Sequence, residues 1–180
     1  MFKFDINEYK WVLLVASLIS FHYTMTGFWA GSKRRKTFSK EFMAENFEKE
    51  HQEAFPGQKV PNGGYPDMGN GRYSQKLSYE AWYNFNNAQR SHYNYLESVT
   101  CVLCWLLIAG IGYNWYAVAF GSAYLIGRLL YSIGYAVFGP RGRVIGFLIS
   151  LLCSIALFVL SIISPLRMAN VISTDVGVGQ

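Results

Sequence analysis

The hydrophobic positions of this chain fall into four long blocks with almost no charge. The first covers residues 11–31, and the second covers residues 98–127, with a turn-like interruption at 110–114. The apolar pattern continues past Arg128 to residue 140 and resumes over residues 144–166. A helix needs roughly 20 apolar residues to cross a bilayer core of about 30 Å. The pattern therefore predicts an all-α, polytopic membrane protein, a four-helix bundle with spans over about residues 10–32, 86–112, 115–138 and 144–166.

A soluble helical bundle would need a charged outer face on each helix, and none of the four blocks has one. The net charge of +5 also fits a membrane protein, because the basic residues lie in loops. Residues 33–36 are all basic, and Arg141 and Arg143 separate the last two spans. The positive-inside rule places both loops on the cytoplasmic side and both termini opposite. The net positive charge therefore gives no reason to expect a nucleic-acid partner. The first span is expected to be a retained anchor rather than a cleaved signal.

The connection between the first two spans, residues 33–85, is unusually long. Its acidic segment at 41–55 carries a rough apolar stripe and predicts a short surface helix; the stripe consists of Phe42, Met43, Phe47, Ala54 and Phe55. Residues 56–73 contain three prolines and five glycines, which favour turns. Loops of this length are usually functional or held by a partner. Residues 41–80 are therefore a candidate docking surface for a larger membrane protein complex.

Two polar stripes run into the apolar blocks. Steps of three and four residues place one set of side chains on a single face of the second span: Asn87, Arg90, Asn94, Glu97 and Cys101. The same spacing gives the third span a second stripe: Tyr124, Arg128, Tyr131 and Tyr135. Counted from the turn between these two antiparallel spans, the stripes lie at similar depths, in the cytoplasmic half of the bilayer.

A charge inside a span is costly unless it pairs with another group or reaches water. One interpretation is a buried ion pair between Glu97 and Arg128 that only fixes the register of two helices. It leaves Asn87, Arg90 and Asn94 unexplained. The stripes therefore favour a polar cleft, open to the cytoplasm, for a small ligand with carboxylates and an amine. A proton or ion path through Glu97 and Arg128 is a weaker alternative.

The other reactive side chains in the spans have simpler explanations. Cys101, Cys104 and Cys153 all lie in predicted spans, and their odd number argues against a disulfide framework. Cys101 and Cys104 match the C-x-x-C pattern of redox motifs, but without a strand-turn-helix context and with only apolar neighbours we expect them to pack instead. We expect His22 to hydrogen-bond to another helix rather than to act as a ligand or proton relay. No metal site is predicted.

Residues 85–97 read Phe-Asn-x-x-Gln-Arg-x-His-x-Asn-x-x-Glu, and residues 127–135 read Gly-Arg-x-x-Tyr-x-x-Gly-Tyr. In this order the two motifs resemble the MAPEG family, the membrane-associated proteins in eicosanoid and glutathione metabolism. The resemblance covers roughly residues 8–40 and 84–164. Ser98 and Leu130 stand where leukotriene-type members have a tyrosine and an arginine. The resemblance therefore points to the branch of type 3 microsomal glutathione transferases.

The resemblance implies a four-helix fold that forms a homotrimer, with glutathione as co-substrate bound between neighbouring subunits near the cytoplasmic face. By position, Glu97 would take the α-ammonium group of glutathione and Arg90 a carboxylate. Further contacts are implied for Asn94, His92, Tyr131, Tyr135 and either Arg34 or Arg35. Arg143, with Arg141 in reserve, matches the arginine that stabilises the thiolate in the family. This role is physically sound, because a guanidinium beside a thiol lowers the pKa of that thiol.

Together these expectations describe a membrane-bound glutathione transferase or peroxidase that acts on lipophilic electrophiles or lipid hydroperoxides from the bilayer. It would be an integral protein of the endoplasmic reticulum or mitochondrial membrane, in contact with membrane lipids. The first loop is longer than is usual in the family. This favours an alternative, in which the chain is an accessory subunit of a larger membrane assembly, such as a respiratory complex, that has retained the fold.

Overall fold

The computed structural model describes residues 5–169, and within them the chain forms α-helices, turns and no strand. The helices are α1 (Ile6–Thr37), α2 (Lys40–Ala54), α3 (Tyr79–Gly112), α4 (Asn114–Phe138) and α5 (Val144–Met168). Short 3-10 turns occur at Asn62–Gly64, Ser74–Lys76 and Gly139–Arg141.

Four of these helices, α1, α3, α4 and α5, are long and apolar enough to cross a membrane. Each contains one of the spans that the hydrophobic pattern predicts, and the prediction of an all-α, four-helix membrane protein is confirmed. Lipid offers backbone N–H and C=O groups no hydrogen-bond partner, and helices satisfy these groups internally. The chain is an integral membrane protein.

A single residue, Tyr113, separates α3 from α4, so the turn is shorter than the sequence suggests. Two carbonyl groups at the end of α3 accept hydrogen bonds from side chains of α5. Arg167 donates a hydrogen bond to the carbonyl oxygen of Gly112 at 2.7 Å, and the Ser164 hydroxyl donates to that of Ile108 at 2.8 Å. The bond to Gly112 supplies a partner that the last carbonyls of a helix lack, and the bond to Ile108 ties α5 to the last turn of α3.

Contacts divide the described chain into two units. The membrane unit comprises residues 5–23 and 95–169, and the loop unit comprises residues 24–94. One apolar stripe of each helix in the membrane unit is buried, as expected for amphipathic packing. The buried side chains of this core are Val12, Val15, Ile19, Tyr95, Val99, Val102, Leu106, Ala109, Ala117, Tyr124, Cys153 and Leu157.

Within the membrane unit, α4 packs closely against α5 and the residues just before it, because glycines occupy the contact. A Cβ atom added to Gly134 would lie 2.1 Å from the carbonyl oxygen of Gly142. A Cβ atom added to Gly146 would lie 2.3 Å from the backbone nitrogen of Tyr131. Helix association in lipid depends on van der Waals packing, which small residues improve by letting backbones approach. This contact places Tyr131 and Tyr135 beside the start of α5.

The surface helix predicted in the acidic segment is present as α2. The hydroxyl of Ser39 caps it by accepting a backbone N–H of the first turn at 3.2 Å. Its buried stripe is narrower than predicted: Met43 and Phe47 are buried, whereas Ala54 and Phe55 are exposed. The reason is that α2 ends at Ala54, where the chain turns away from the apolar core of the loop unit.

The turn-rich segment after α2 is organised around Asp67. Its carboxylate accepts hydrogen bonds from the backbone N–H groups of Gly69 at 2.7 Å, Gly71 at 2.9 Å and Ser74 at 2.7 Å. The Ser74 hydroxyl donates to it at 2.8 Å, and Arg34 donates to the carbonyl oxygen of Asp67 at 2.6 Å. These bonds order the loop beside the apolar core of this unit, which consists of Phe38, Met43, Phe47, Val60 and Phe85.

We predict that Gly146→Val destabilises the membrane unit, because a branched side chain has no room beside the backbone of α4. Overpacking of this kind costs about 1–3 kcal/mol, so the unfolding temperature of the purified protein in detergent should fall. Gly31→Ala is the control, since a Cβ atom at Gly31 meets nothing within 4 Å. Equal unfolding temperatures for the two variants would contradict the close packing of α4 and α5.

Burial raises the pKa of the Asp67 carboxyl, but its hydrogen bonds outweigh this effect and hold the pKa below its ordinary value. The contribution of a carboxylate with a lowered pKa is complete above its ordinary pKa, about 4 for Asp, and is lost as the pH falls through the folded-state value. We predict that the amides of Gly69, Gly71 and Ser74 stay protected from hydrogen exchange from neutral pH to about pH 4. They should lose this protection at lower pH.

Asp67→Asn tests the same network at neutral pH. An amide nitrogen would then face backbone N–H donors, and an unsatisfied buried group costs about 1–3 kcal/mol. Exchange at Gly69, Gly71 and Ser74 should accelerate roughly tenfold or more. Asp5→Asn is the matched control, because Asp5 accepts one N–H at the exposed start of α1. Unchanged exchange in Asp67→Asn would show that the carboxylate does not order the loop.

Candidate functional site

Arg128, a charged residue within α4, is only 3% exposed. Its guanidinium carbon lies 4.0 Å from the ring centroid of Tyr95 and 4.5 Å from that of Tyr131. A desolvated cation over an aromatic face gains about 2 kcal/mol. Glu97, its partner in the ion-pair interpretation, is exposed. Aromatic rings therefore supply much of the environment that holds this charge inside the membrane unit.

Tyr95 is a member of this arrangement that sequence reasoning missed. It is fully buried and follows the apolar face of α3, which continues through Val99 and Val102. Its hydroxyl donates to the carbonyl oxygen of Ile19 at 3.3 Å and lies 3.4 Å from Nδ1 of His22. The expected hydrogen bond from His22 to another helix is therefore present. A single tyrosine within an aliphatic stripe was the available clue.

Arg143 occupies the position just before α5 and is half-buried. Its Nη1 donates to the hydroxyl of Tyr135 at 3.3 Å, and its guanidinium carbon lies 5.6 Å from that ring centroid. A guanidinium has five N–H donors, so this bond orients the group without exhausting its capacity to bind an anion. Arg141, two residues earlier, is exposed. Of the two candidates, Arg143 is the one held in place by a contact with a predicted site residue.

The predicted polar stripe of the second span follows one face of α3. Arg90 and Glu97 are exposed, and Asn87 and Asn94 are half-buried. An arginine, two amides and a carboxylate at successive helical turns can bind carboxylate, amide and ammonium groups. Their roles in binding stay predictions.

The cysteines divide into two environments. Cys153 is buried, as expected for packing, whereas Cys101 and Cys104 are exposed. The packing expected of Cys101 and Cys104 is therefore not present within the single chain. Both continue the stripe of α3 that carries Glu97, and other helices of the same chain leave this face exposed.

Two arginines near the end of α1 lie in different environments within the loop unit. Arg34 is 4% exposed, and besides its bond to Asp67 its guanidinium carbon lies 4.4 Å from the ring centroid of Tyr65. Arg35 is exposed. His92 on α3 is half-buried, and its Nδ1 lies 3.0 Å from the Thr26 hydroxyl. Arg35 is the more accessible arginine for a ligand, and binding by Arg34 and His92 stays a prediction.

The predicted site residues, which are distributed over both units, are thus arginines, tyrosines, amides, one histidine and one carboxylate. Among residues 5–169, no group of three or more His, Cys, Asp or Glu side chains could hold a metal ion. The groups present can bind an anionic peptide and stabilise a negative charge.

The sequence model of the MAPEG family matches residues 11–163 of this chain. The matched region covers most of the four membrane-spanning helices, the whole loop and every predicted site residue. Members of this family are membrane proteins with glutathione transferase, peroxidase or eicosanoid-related activity, and they use glutathione.

Proposed function

The chain belongs to the MAPEG family, and we propose that it is a membrane-bound glutathione transferase or peroxidase of the type 3 branch. In the transferase reaction the glutathione thiol loses its proton, and its sulfur forms a thioether by displacing a leaving group such as chloride from a lipophilic electrophile. In the peroxidase reaction two glutathione molecules reduce a lipid hydroperoxide to an alcohol and water and become a disulfide. Ser98 and Leu130 support the type 3 branch over leukotriene synthesis. The membrane would be that of the endoplasmic reticulum or mitochondrion.

The observation that carries this proposal is the position of Arg143. Its hydrogen bond to Tyr135 holds a half-buried guanidinium at the start of α5. A free thiol has a pKa of about 8.5, and a neighbouring cation lowers it. Arg143 is therefore the group that would keep the sulfur of bound glutathione ionised, with Arg141 as the reserve. A thiolate is the nucleophile that both reactions require.

Residues of α3 would hold the rest of the peptide. Arg90 would bind a carboxylate of glutathione, Glu97 its α-ammonium group, and Asn94 its backbone amides. Further contacts are proposed for Asn87, His92, Arg128, Tyr131, Tyr135 and one of Arg34 and Arg35. The support for these roles is the order of the residues along α3 and α4 and their match to the family motif.

A homotrimer would explain the exposed face of α3. Glu97 lies fifteen residues before Gly112, the end of α3, which is about 22 Å of helix within a hydrocarbon layer of about 30 Å. A carboxylate exposed to lipid costs several kcal/mol. A neighbouring subunit that covers Glu97, Cys101 and Cys104 would remove this cost and complete the glutathione site.

The folded loop favours a second candidate function, an accessory subunit of a larger membrane complex. The loop unit has an apolar core and the hydrogen-bond network of Asp67. Neither is needed for the thiol chemistry proposed above. The two functions are compatible, because the loop could dock on a partner while the site at Arg143 remains active.

We predict that Arg143→Ala lowers turnover of a chlorodinitrobenzene electrophile by about a hundredfold, since charge stabilisation at a reacting atom has this magnitude. The pH profile of the remaining rate should shift upward, toward the free thiol pKa near 8.5. Glutathione affinity, measured by calorimetry, should stay within about twofold. Arg90→Ala should show the opposite pattern, with affinity reduced about tenfold or more through loss of a charged hydrogen bond.

Arg141→Ala completes this test. A loss of turnover in Arg141→Ala with normal turnover in Arg143→Ala would move the role to the reserve residue. No turnover by the wild-type protein with chlorodinitrobenzene or cumene hydroperoxide would refute the enzymatic proposal.

We predict that the protein extracted in mild detergent has the mass of a homotrimer, which light scattering with detergent subtraction measures. Glu97→Gln should leave the trimer intact, because a neutral amide removes the charge and keeps the shape. A monomer would contradict the proposed cover of α3. Stable migration with a much larger complex in native gels would support the accessory function.

A further inference from the structure

The loop unit contains a pocket that the proposed thiol chemistry does not use. It lies between the end of α2 and the turn before α3, and its cavity volume is about 180 Å³. Phe47, Ala54, Phe55 and Tyr73 form its apolar walls. Phe55 is 52% exposed although it is a large apolar side chain. We call this feature the α2 pocket.

The size of the α2 pocket limits what it can bind. Sites for drug-sized ligands and cofactors have volumes of about 300–1,000 Å³. An apolar cavity of about 150 Å³ holds one benzene ring. The α2 pocket therefore has room for a single large apolar side chain. Protein interfaces commonly depend on such an anchor seated in a pocket.

The walls of the α2 pocket are held in place before anything binds. The ring centroids of Phe47 and Tyr73 are 4.7 Å apart, and those of His51 and Phe55 are 5.0 Å apart. Tyr73 directly precedes Ser74, whose N–H and hydroxyl both bond to Asp67. A preformed pocket loses little conformational entropy on binding.

The charge around the α2 pocket indicates the kind of partner. The chain as a whole has a net charge of +5, but α2 carries five glutamates and two lysines. Glu50 forms an exposed ion pair with Arg72 at the mouth, and Glu53 is exposed on the last turn. An acidic surface attracts a basic protein segment and repels the anionic lipid headgroups of a cytoplasmic leaflet.

We propose that the α2 pocket binds a partner protein through one large apolar side chain flanked by lysines or arginines. The apolar side chain fills the space between Phe47, Phe55 and Tyr73. The flanking cations lie against the exposed carboxylates of Glu53 and of Glu50, which already pairs with Arg72. This interaction is independent of the thiol chemistry, because none of these residues belongs to the proposed glutathione site.

The experiment uses the full chain in nanodiscs of neutral phosphatidylcholine, so that basic probes do not bind lipid. Three fluorescent peptides are compared by anisotropy: Lys-Lys-Phe-Lys-Lys, Lys-Lys-Ala-Lys-Lys and Glu-Glu-Phe-Glu-Glu. The first should bind at least about tenfold more tightly than the others, since losing either the anchor or the charge costs about 1.4 kcal/mol or more. Equal affinity for the phenylalanine and alanine peptides overturns the proposal.

Variants locate the binding surface. Phe55→Ala and Glu53→Lys should each weaken binding of the Lys-Lys-Phe-Lys-Lys peptide about tenfold or more. Glu45→Lys is the matched control: it makes the same change in net charge about 12 Å away along α2, and affinity should stay within about twofold. An equal loss in Glu45→Lys would indicate diffuse attraction and overturn the proposal.

Two further readouts keep the test independent of folding and of catalysis. Hydrogen exchange at Gly71 and Ser74 should be unchanged in Phe55→Ala, because Phe55 is exposed and lies outside the Asp67 network. Glutathione turnover in that variant should match wild type. Undiminished peptide binding by a folded Phe55→Ala protein overturns the proposal. Self-association of the wild-type protein that Phe55→Ala abolishes also overturns it, because the pocket would then bind a second copy of this chain.

Discussion

The close approach of α4 to α5 is the constraint on which the candidate chemistry depends. Gly146 of α5 meets the backbone of α4, and Gly134 of α4 meets Gly142 just before α5, so neither position has room for a side chain. The hydroxyl of Tyr135 and the guanidinium of Arg143 meet because of this contact. In lipid, where water does not drive apolar helices together, such a fit needs small residues at the contact. The same glycines that allow α4 and α5 to pack therefore also orient the arginine proposed to act on the thiol.

Two charged residues of the membrane unit, Arg128 and Glu97, lie in different environments. Arg128 is buried and lies over the rings of Tyr95 and Tyr131, so aromatic faces contribute to its stabilisation. Glu97 is exposed on the face of α3 that other helices of the chain leave open. In an ion pair between them, each of the two side chains would neutralise the charge of the other within one chain. The observed arrangement leaves a carboxylate on the outer surface of α3, where a ligand or a neighbouring subunit could meet it.

The sequence predicted the parts of this structure that follow from helical periodicity. The lengths of the uncharged segments located the four spanning helices, and the spacing of polar residues by three and four positions located the polar stripe of α3. Periodicity identified neither Asp67 nor Tyr95. Asp67 acts through backbone N–H groups whose direction depends on the path of the loop, and turn residues carry no repeating pattern. Tyr95 lies on the apolar face of α3, where a tyrosine resembles any other core residue until Arg128 is placed beside it. The exposure of Phe55 was also missed, because the end of α2 was not fixed by the pattern.

The hydrogen bonds that order the loop around Asp67 come mostly from the backbone, so they do not depend on the exposed side chains that a partner could contact. Three of the four hydrogen bonds to its carboxylate come from backbone N–H groups, at Gly69, Gly71 and Ser74. The side chains of Asn70 and Arg72, which stand between these donors, take no part in those bonds and are exposed. Replacing Arg72 would alter the mouth of the α2 pocket while the loop keeps its shape. A substitution at Asn70 or Arg72 could therefore change what the loop recognises and leave the hydrogen bonds to Asp67 in place.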